Sequence, residues 1–351
     1  MSARQLTSST GTAIRGSRFE ADDLPSGARD FFLVVNLRLY RPEVWLFVAS
    51  KGTLAPTITV IIPTKNRCEL IRELLNSLEK VRGLTRIQPK IIVGDNASTD
   101  STPKMLEMRK ATFPTELIPL SISSPGKSAV LNQAIRRSTA EVLAFLDDDV
   151  IVDSSWLEEV EAFFQGNPAS HVGQGSIRTG VETSPDPEIR RLLQRYRTIP
   201  QLEFSSNVGD LHSLNGANIA IRRAVFDRVG YFDERLGPGA SGTSEDVDLA
   251  QRIRKAGMKI AYVHRAIVYH RVDRERLTEK YFKQTHWRQG ASRFLMKRRS
   301  SAEIIYNLIR ASGQYGYFTL FGKERDRYRS KGRIYHYLGM MDAKRNQTEP
   351  Q

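Results

Sequence analysis

Between residues 57 and 163 the chain repeats one unit four times: a short apolar run, a polar turn, then an amphipathic stretch. TITVIIP (57–63), PKIIVGD (89–95), ELIPLSI (116–122) and EVLAFLD (141–147) are short, mostly aliphatic runs of the kind that form buried strands. After the first run, Leu70, Ile71, Leu74, Leu75 and Leu78 recur at helical spacing. Asp100 or Ser101 is placed to cap a second helix towards Lys110. Lys127–Arg137 forms a third with Val130, Leu131, Ala134 and Ile135 inward, and Asp153 caps a fourth that carries Trp156, Leu157, Val160 and Phe163. Strands that are apolar on both faces and alternate with helices predict an α/β fold with a doubly wound, mostly parallel sheet.

Beyond Gly173 the pattern loosens. VGQGSIR (172–178) and ANIAIR (217–222) read as strands on either side of a polar linker, 179–212. Helices are expected near Arg223 and near Glu245, and KIAYV (259–263) with AIVYH (266–270) read as a closing strand pair. From Leu277 the chain reads as helical and basic. The expected organisation is therefore a tail and packing segment (1–56), two halves of one α/β domain (57–150 and 151–272) and a C-terminal helical extension (273–351). Residues 1–30 read as a loose tail. FFLVVNLRLYRPEVWLFVAS (31–50) is the most apolar stretch, but Arg38, Arg41, Pro42 and Glu43 interrupt it. That argues against a spanning helix and for a packed strand pair, with a place on a membrane face as the alternative.

The 351 residues carry a formal net charge of +14, concentrated after Asp273 in stretches such as MKRRS (296–300) and KERDRYRSKGR (323–333). No helix-turn-helix, zinc or aromatic-platform signature accompanies the charge, so nucleic acid is not an expected partner. Phosphate-bearing substrates or an anionic membrane surface explain it better. Lys and Arg mixed with Tyr, Phe, Leu and Ile over Tyr306–Leu338 suit docking on anionic lipid, and a solvated helical cap is the competing reading. No secretory signal pattern appears, and the single cysteine, Cys68, leaves no internal disulfide. Both point to a cytoplasmic location, with the inner membrane face as the place a peripheral protein would sit. Oligomeric state is not readable.

In open α/β sheets ligands bind beyond the carboxyl ends of the strands, and every polar signature falls there. Thr64-Lys65-Asn66-Arg67 follows the first strand, Asp95-Asn96-Ala97-Ser98 the second, Ser124-Pro125-Gly126-Lys127 the third and Asp147-Asp148-Asp149 the fourth. Three adjacent carboxylates at the end of an apolar strand repel one another unless a cation offsets them. A hard divalent ion with bound phosphate answers that need, and a solvated acidic loop is the alternative.

VIIPTKNR (60–67), VGDNASTDST (93–102), AVLNQAI (129–135) and FLDDDV (145–150) resemble the nucleotide-binding half of family 2 glycosyltransferases. NGANIAIRRAVFDRVGYFDE (215–234) and SEDVDLAQRIRKAG (244–257) resemble the acceptor half, and the resemblance covers about residues 57–270 in the family's order. It implies a GT-A-like fold, an inverting transfer from a nucleotide-sugar donor of UDP or dTDP type to a saccharide or lipid-linked acceptor, and a Mg or Mn ion. Polysaccharide, cell-envelope or glycolipid biosynthesis is the implied setting. By position, Thr64, Asn66, Arg67 and Asp95 would lie on the nucleotide, with Asp95 against the base; an Asx turn competes for Asp95. The family usually has an acidic residue at Gly94 and Gly at Ala97. Lys127 and Asn132 would lie along the nucleotide, and Lys127 is equally readable as a solvated first-turn lysine. Asp149 would ligate the metal, Asp147 would contact ribose or metal, and Asp148 has the least defined role. His270 would complete the metal shell or simply end its strand. Asn215, Gly216 and Asn218 would shape the donor-sugar or acceptor pocket, against ordinary turn chemistry. Asp246, with Glu245 as the alternative, would be the base that an acceptor hydroxyl needs. Helix capping by these acids competes, with Ser244 able to take that task instead. The Trp287-Arg288-Gln289-Gly290 segment reads either as a cover over the diphosphate or as a helix face.

Two other enzyme classes share part of this pattern. An aspartate-based phosphohydrolase also sets acids after an apolar strand, but near the domain start, whereas three strand–helix units precede this triplet. A sugar-phosphate nucleotidyltransferase would need a glycine-rich loop after the first strand, and Pro-Thr-Lys-Asn-Arg is not one.

Overall fold

A computed structural model describes residues 32–37, 44–49, 55–179, 186–206 and 209–348. The expected tail, residues 1–30, lies outside them. β1 (Phe32–Leu37) and β2 (Val44–Ala49) pair antiparallel with Phe32 opposite Ala49, the strand pair read from the sequence.

A second compact unit begins at Ala55. It opens with β3 (Ile58–Thr64), α1 (Cys68–Leu78), the single turn α2 (Leu84–Ile87), β4 (Lys90–Asp95), α3 (Thr102–Lys110), β5 (Leu117–Ser121), α4 (Lys127–Arg137) and β6 (Val142–Leu146). β7 (Val150–Val152), α5 (Trp156–Gly166), β8 (Val172–Thr179), α6 (Pro187–Tyr196), β9 (Asn218–Arg222), α7 (Ala224–Val229), α8 (Glu245–Lys255) and β10 (Ile260–His270) follow. The strands form one sheet in the order β5-β4-β3-β6-β9-β8-β10-β7. β5, β4, β3 and β6 are parallel, β9 runs antiparallel between β6 and β8, β10 is parallel to β8, and β7 closes the edge antiparallel to β10.

The period-two alternation of strand side chains builds both faces of this sheet. Val60, Ile62, Ile91, Val93, Val142, Ala144 and Leu146 point to one face, beneath α1, α3 and α5, where Leu74, Leu75, Leu106 and Trp156 complete the core. Ile61, Ile92, Leu143 and Phe145 point to the other, beneath α4, α7 and α8, with Leu131, Phe226 and Leu249. Helices on both faces leave the strand ends as the one place where polar turns can gather.

Three local expectations change. Residues 259–270 are not a strand pair: β10 is one strand, parallel to β8 on both sides of a register shift between Val263 and Ile267. His264-Arg265 contains no turn-forming residue, so the irregularity is absorbed as a bulge rather than a reversal. The polar linker holds a helix, α6, with Pro187 in its first turn, the Asp186 carboxylate accepting from the Glu188 amide, and Ile189, Leu192, Leu193 and Tyr196 on one face. Ser244 makes no side-chain cap on α8 and takes a left-handed φ of 79°.

After a 3-10 turn at Arg274–Leu277 come α9 (Glu279–Met296), α10 (Ser301–Phe321) and α11 (Glu324–Thr348). The Trp287–Gly290 segment is a helix face. A Cβ on Gly290 would stand 1.9 Å from the His336 carbonyl oxygen, and one on Gly339 2.1 Å from that of Trp287. α9 and α11 therefore meet backbone to backbone. Gly290→Ala should force them apart and lower stability by about 1–3 kcal/mol, read by thermal unfolding. Gly313→Ala in α10, where nothing lies within 4 Å of an added Cβ, should instead raise stability by roughly 0.5–1 kcal/mol.

Candidate active site

The triple aspartate occupies the turn between β6 and β7. β7 pairs with β10 so that Val150 faces His270, and the Arg271 amide donates to the Asp149 carbonyl at 2.9 Å. That register sets the buried His270 beside the aspartates, with Nε2 3.3 Å from Asp149 Oδ1. His270 Nδ1 lies 2.8 Å from the Arg271 carbonyl oxygen. A carbonyl only accepts, so Nδ1 donates there and Nε2 is the ring nitrogen turned to the carboxylate side. Arg276, from the turn before α9, places Nη1 3.1 Å from Asp149 Oδ2 and 3.5 Å from His270 Nε2. A cationic group thus sits between Asp149 and His270, two of the three residues the resemblance assigns to a metal.

Asp148 turns the other way, inward. Thr64, ending β3 next to β6, donates its hydroxyl to Asp148 Oδ2 at 2.8 Å, and Arg67 Nη1 donates to Oδ1 at 2.6 Å. Burial pushes the Asp148 carboxyl up to about 6 even against the Arg67 guanidinium. The same pairing leaves Arg67 with a raised pKa although burial alone would lower it. Thr64 and Arg67 therefore brace the triplet from beneath.

Asp147 faces Lys127, the first residue of α4, across 2.5 Å, and the same ammonium lies 3.3 Å from Glu245 Oε1. Burial opposes ionisation of Asp147, but Lys127 outweighs it and holds the carboxyl below its usual range. Lys127, desolvated itself, is raised because Asp147 and Glu245 more than offset its burial. At the start of α8, Asp246 accepts from the Gly216 amide at 3.0 Å through Oδ2 and from the Val247 amide at 2.7 Å through Oδ1. Burial and the adjacent Glu245 carboxylate push Asp246 up to about 7. Lys127, Asp147, Gly216, Glu245 and Asp246 line one small cleft over the apolar floor of Pro63, Leu131 and Phe145.

The second polar turn is tied up largely within itself. Asp95 accepts from the Ser98 amide at 3.2 Å and from its hydroxyl, three residues on. Asn66 Oδ1 accepts from the Thr99 amide at 2.7 Å, joining the first and second turns. Ala97 sits at φ 52°, which is why glycine suits that position. A Cβ at Gly94 would fall 2.3 Å from Val130 Cγ1, so an acidic side chain has no room there.

Asn132, expected along the nucleotide, and Asn218, expected at the donor-sugar or acceptor pocket, both bond within the protein. Asn132 is buried, accepting from the Phe232 amide and donating to the Phe232 carbonyl and to Glu234, each at 2.9 Å. Asn218 is buried in β9, accepting from Trp156 Nε1 at 2.9 Å and donating to the Ser176 and Ala266 carbonyls at 2.9 and 2.8 Å. Their amides satisfy the protein's own polar groups and leave none for a ligand. Asn215 shapes a turn through its Oδ1, which accepts from the Ala217 amide at 3.2 Å.

Sequence reasoning did not single out Asn96, Arg276 or Arg293. Asn96 pins the third turn, donating to the Ile122 and Ser124 carbonyls at 3.2 and 2.7 Å and accepting from the Gly126 amide at 3.0 Å. Burial lowers Arg293 of α9, and the Asp246 carboxylate opposes that shift. Asn96 lay in a recognised polar turn; nothing distinguishes the two arginines within a basic tail.

Among the described residues no group of three His, Cys, Asp or Glu side chains is already gathered for a metal. Asp149 and His270 supply two donors of suitable chemistry, with the histidine tautomer already set. A divalent ion that shares its shell with substrate phosphates and water needs only one or two protein ligands, so the pair fits such an ion.

Residues 59–230 match the sequence profile of Glycosyl transferase family 2. That segment is similar to a glycosyl transferase family 2 domain. The glycosyltransferase AglE of Haloferax volcanii is 25% identical over 215 residues, 61% of this chain and 67% of AglE. The poly-beta-1,6-N-acetyl-D-glucosamine synthase of Staphylococcus epidermidis is 21% identical over 262 residues, 72% of this chain and 58% of that protein. In fold, the chain is similar to the mannosyltransferase PcManGT from Pyrobaculum calidifontis, solved with GDP-Man and Mn2+. The TM-score is 0.57 at 17% identity, covering 86% of this chain and 90% of that one. The sheet is thus GT-A-like. The matched segment contains the triplet, while Glu245, Asp246, His270 and Arg276 of the same edge lie beyond it.

Asn218→Ala in the transferase domain should cost roughly 3–5 kcal/mol in denaturant unfolding, because three buried partners lose their hydrogen bonds. A loss below about 1 kcal/mol would place Asn218 outside the structural framework.

Proposed function

We propose that the transferase domain moves a sugar from a nucleotide-diphosphate donor, of UDP or dTDP type, to a hydroxyl of a saccharide or lipid-linked acceptor with inversion. Polysaccharide, cell-envelope or glycolipid biosynthesis, on the cytoplasmic side, is its setting. One observation carries the reading: a single strand edge joins a carboxylate raised to about 7, Asp246, with the cation-seeking pair Asp149 and His270. The named relatives and the GT-A-like fold support it.

Asp246 is the base. Near neutral pH a substantial fraction of it is ionised yet basic enough to take a proton. The Gly216 and Val247 amides fix the orientation of its carboxylate. As the acceptor oxygen bonds to the anomeric carbon, its proton passes to Asp246, and the carbon–oxygen bond to the diphosphate breaks with its electron pair on the leaving nucleoside diphosphate. Attack opposite the leaving group inverts the anomeric centre. Lys127 stands beside Asp147 and Glu245, where it can turn its charge towards the diphosphate. Asp149 and His270, with Asp147 adjacent, would hold Mg or Mn, which lowers the cost of negative charge on the departing diphosphate. Asp95, Asn66 and Arg67 line the side where the base and ribose would lie.

Thermal unfolding with a panel of nucleoside diphosphates, with and without Mn, tests the reading. One diphosphate should raise the melting temperature only with metal, and Asp149→Ala should abolish the rise. If no nucleotide shifts unfolding with metal present, the donor assignment falls. A pH profile tests the base. With Asp246 raised to about 7, its reactive ionised form is lost as pH falls, so kcat/KM should drop about tenfold per unit below that value and level off above it. Asp246→Asn should remove nearly all turnover while leaving diphosphate-induced stabilisation in place; retained turnover would move the base elsewhere, first to Glu245.

A further inference from the structure

Helix α10 carries an apolar face that packs against nothing among the described residues. Ile304 and Ala311 turn inward and are buried, Ile304 against Phe294 and Met340. On the other side Ile305, Tyr306, Ile309, Tyr317, Leu320 and Phe321 are exposed, Ile309 by 68% and Leu320 and Phe321 each by 75%. Their spacing of one, three, eight, three and one residues keeps them on one broad stripe, and Gly313 and Gly316 between them face open space. From Ile305 to Phe321 the stripe is about 24 Å long. Six large side chains along one helix are a patch rather than the scattered exposure of ordinary surfaces.

The surroundings decide what covers it. Lys297 and Arg298 precede the helix, Arg310 lies within it, and Lys323, Arg325 and Arg329 follow it. All six are exposed and make no ion pair among the described residues. Glu303 is already paired with Arg299. No helix of the described residues is long and apolar enough to cross a membrane, so a stripe of this kind lies along an interface rather than through it.

We propose that the α10 face is a membrane-docking surface that lies in the headgroup region of an anionic bilayer. Apolar side chains enter the acyl boundary, Tyr306 and Tyr317 sit at the depth where their hydroxyls stay wet, and the flanking cations meet lipid phosphates. A second copy of the chain fits less well, because two such faces would bring two sets of cations together. The inference rests on this surface alone and stands or falls independently of the transfer reaction.

Vesicle flotation tests it with the full chain. Vesicles with about a third phosphatidylglycerol should bind the protein at low salt, and pure phosphatidylcholine vesicles should bind it at least about tenfold less. Raising the salt should release most of it. The double variant Ile309→Glu/Leu320→Glu, both sites exposed, should float about tenfold less with unchanged circular dichroism and unchanged melting. Arg298→Glu/Lys323→Glu should weaken binding to anionic vesicles only. Absence of flotation with anionic vesicles at low salt overturns the proposal, as does flotation that Ile309→Glu/Leu320→Glu leaves intact. A wild-type dimer in sedimentation velocity that becomes monomeric in that variant also overturns it, by assigning the face to a second copy.

Discussion

Like-charge repulsion at one strand edge is the constraint around which this structure is arranged. Asp147, Asp148, Asp149, Glu245 and Asp246 converge there, and carboxylates so close and so desolvated cannot all ionise unaided. Three cations answer them from three different elements. Arg67 after β3 holds Asp148, Lys127 at the start of α4 holds Asp147 and Glu245, and Arg276 before α9 holds Asp149. Burial first, and neighbouring carboxylates after it, still make two of the acids easier to protonate, raising Asp148 to about 6 and Asp246 to about 7.

These compensations differ in kind. Asp148 is buried with Thr64 and Arg67 on its two oxygens, so its charge is fixed in place and serves the shape of the turn. Arg276 and Lys127 are largely buried against Asp149 and against Asp147 and Glu245, on long flexible side chains. In the proposed reaction a divalent ion and a diphosphate bring their own charges of opposite sign, and these two side chains are the ones able to yield to the former and follow the latter. A divalent cation and a diphosphate arriving together would offset each other's charge and leave the balance of the cluster little changed.

Much of this was legible in the sequence, because continuous apolar runs fix buried strands and polar turns mark their ends. The parallel block β5-β4-β3-β6 follows directly from TITVIIP, PKIIVGD, ELIPLSI and EVLAFLD. The direction of β9 was not legible: an apolar strand buried on both faces looks the same whichever way it runs. α6 was legible and passed over, since its apolar positions are diluted by arginines in a linker-like stretch. Among site residues, spacing brought the right turns together but not the partners within them. Lys127 reads as lying along the nucleotide or as a solvated first-turn lysine, and its carboxylate partners, 20 and 118 positions away in the chain, are beyond the reach of spacing. Asn132 and Asn218 look like pocket residues in a list of polar positions. Only burial shows that each holds two elements together.

The histidine shows how the two halves of the sheet depend on each other. His270 is a strand-end residue of no distinction in sequence, and its place at the aspartates is set by the antiparallel pairing of β7 with β10. β7 has only three residues, and it joins the edge directly after the triplet. Because it pairs with the last strand of the sheet, the turn holding Asp147–Asp149 is anchored at one end by the parallel block and at the other by β10. The carbonyl of Asp149 accepts from Arg271, so the backbone at the proposed ligand is itself part of that ladder. A shift of one residue in the β7–β10 register would turn His270 to the opposite face and separate the pair. The geometry at Asp149 is therefore a property of the whole sheet, and neither half would produce it alone.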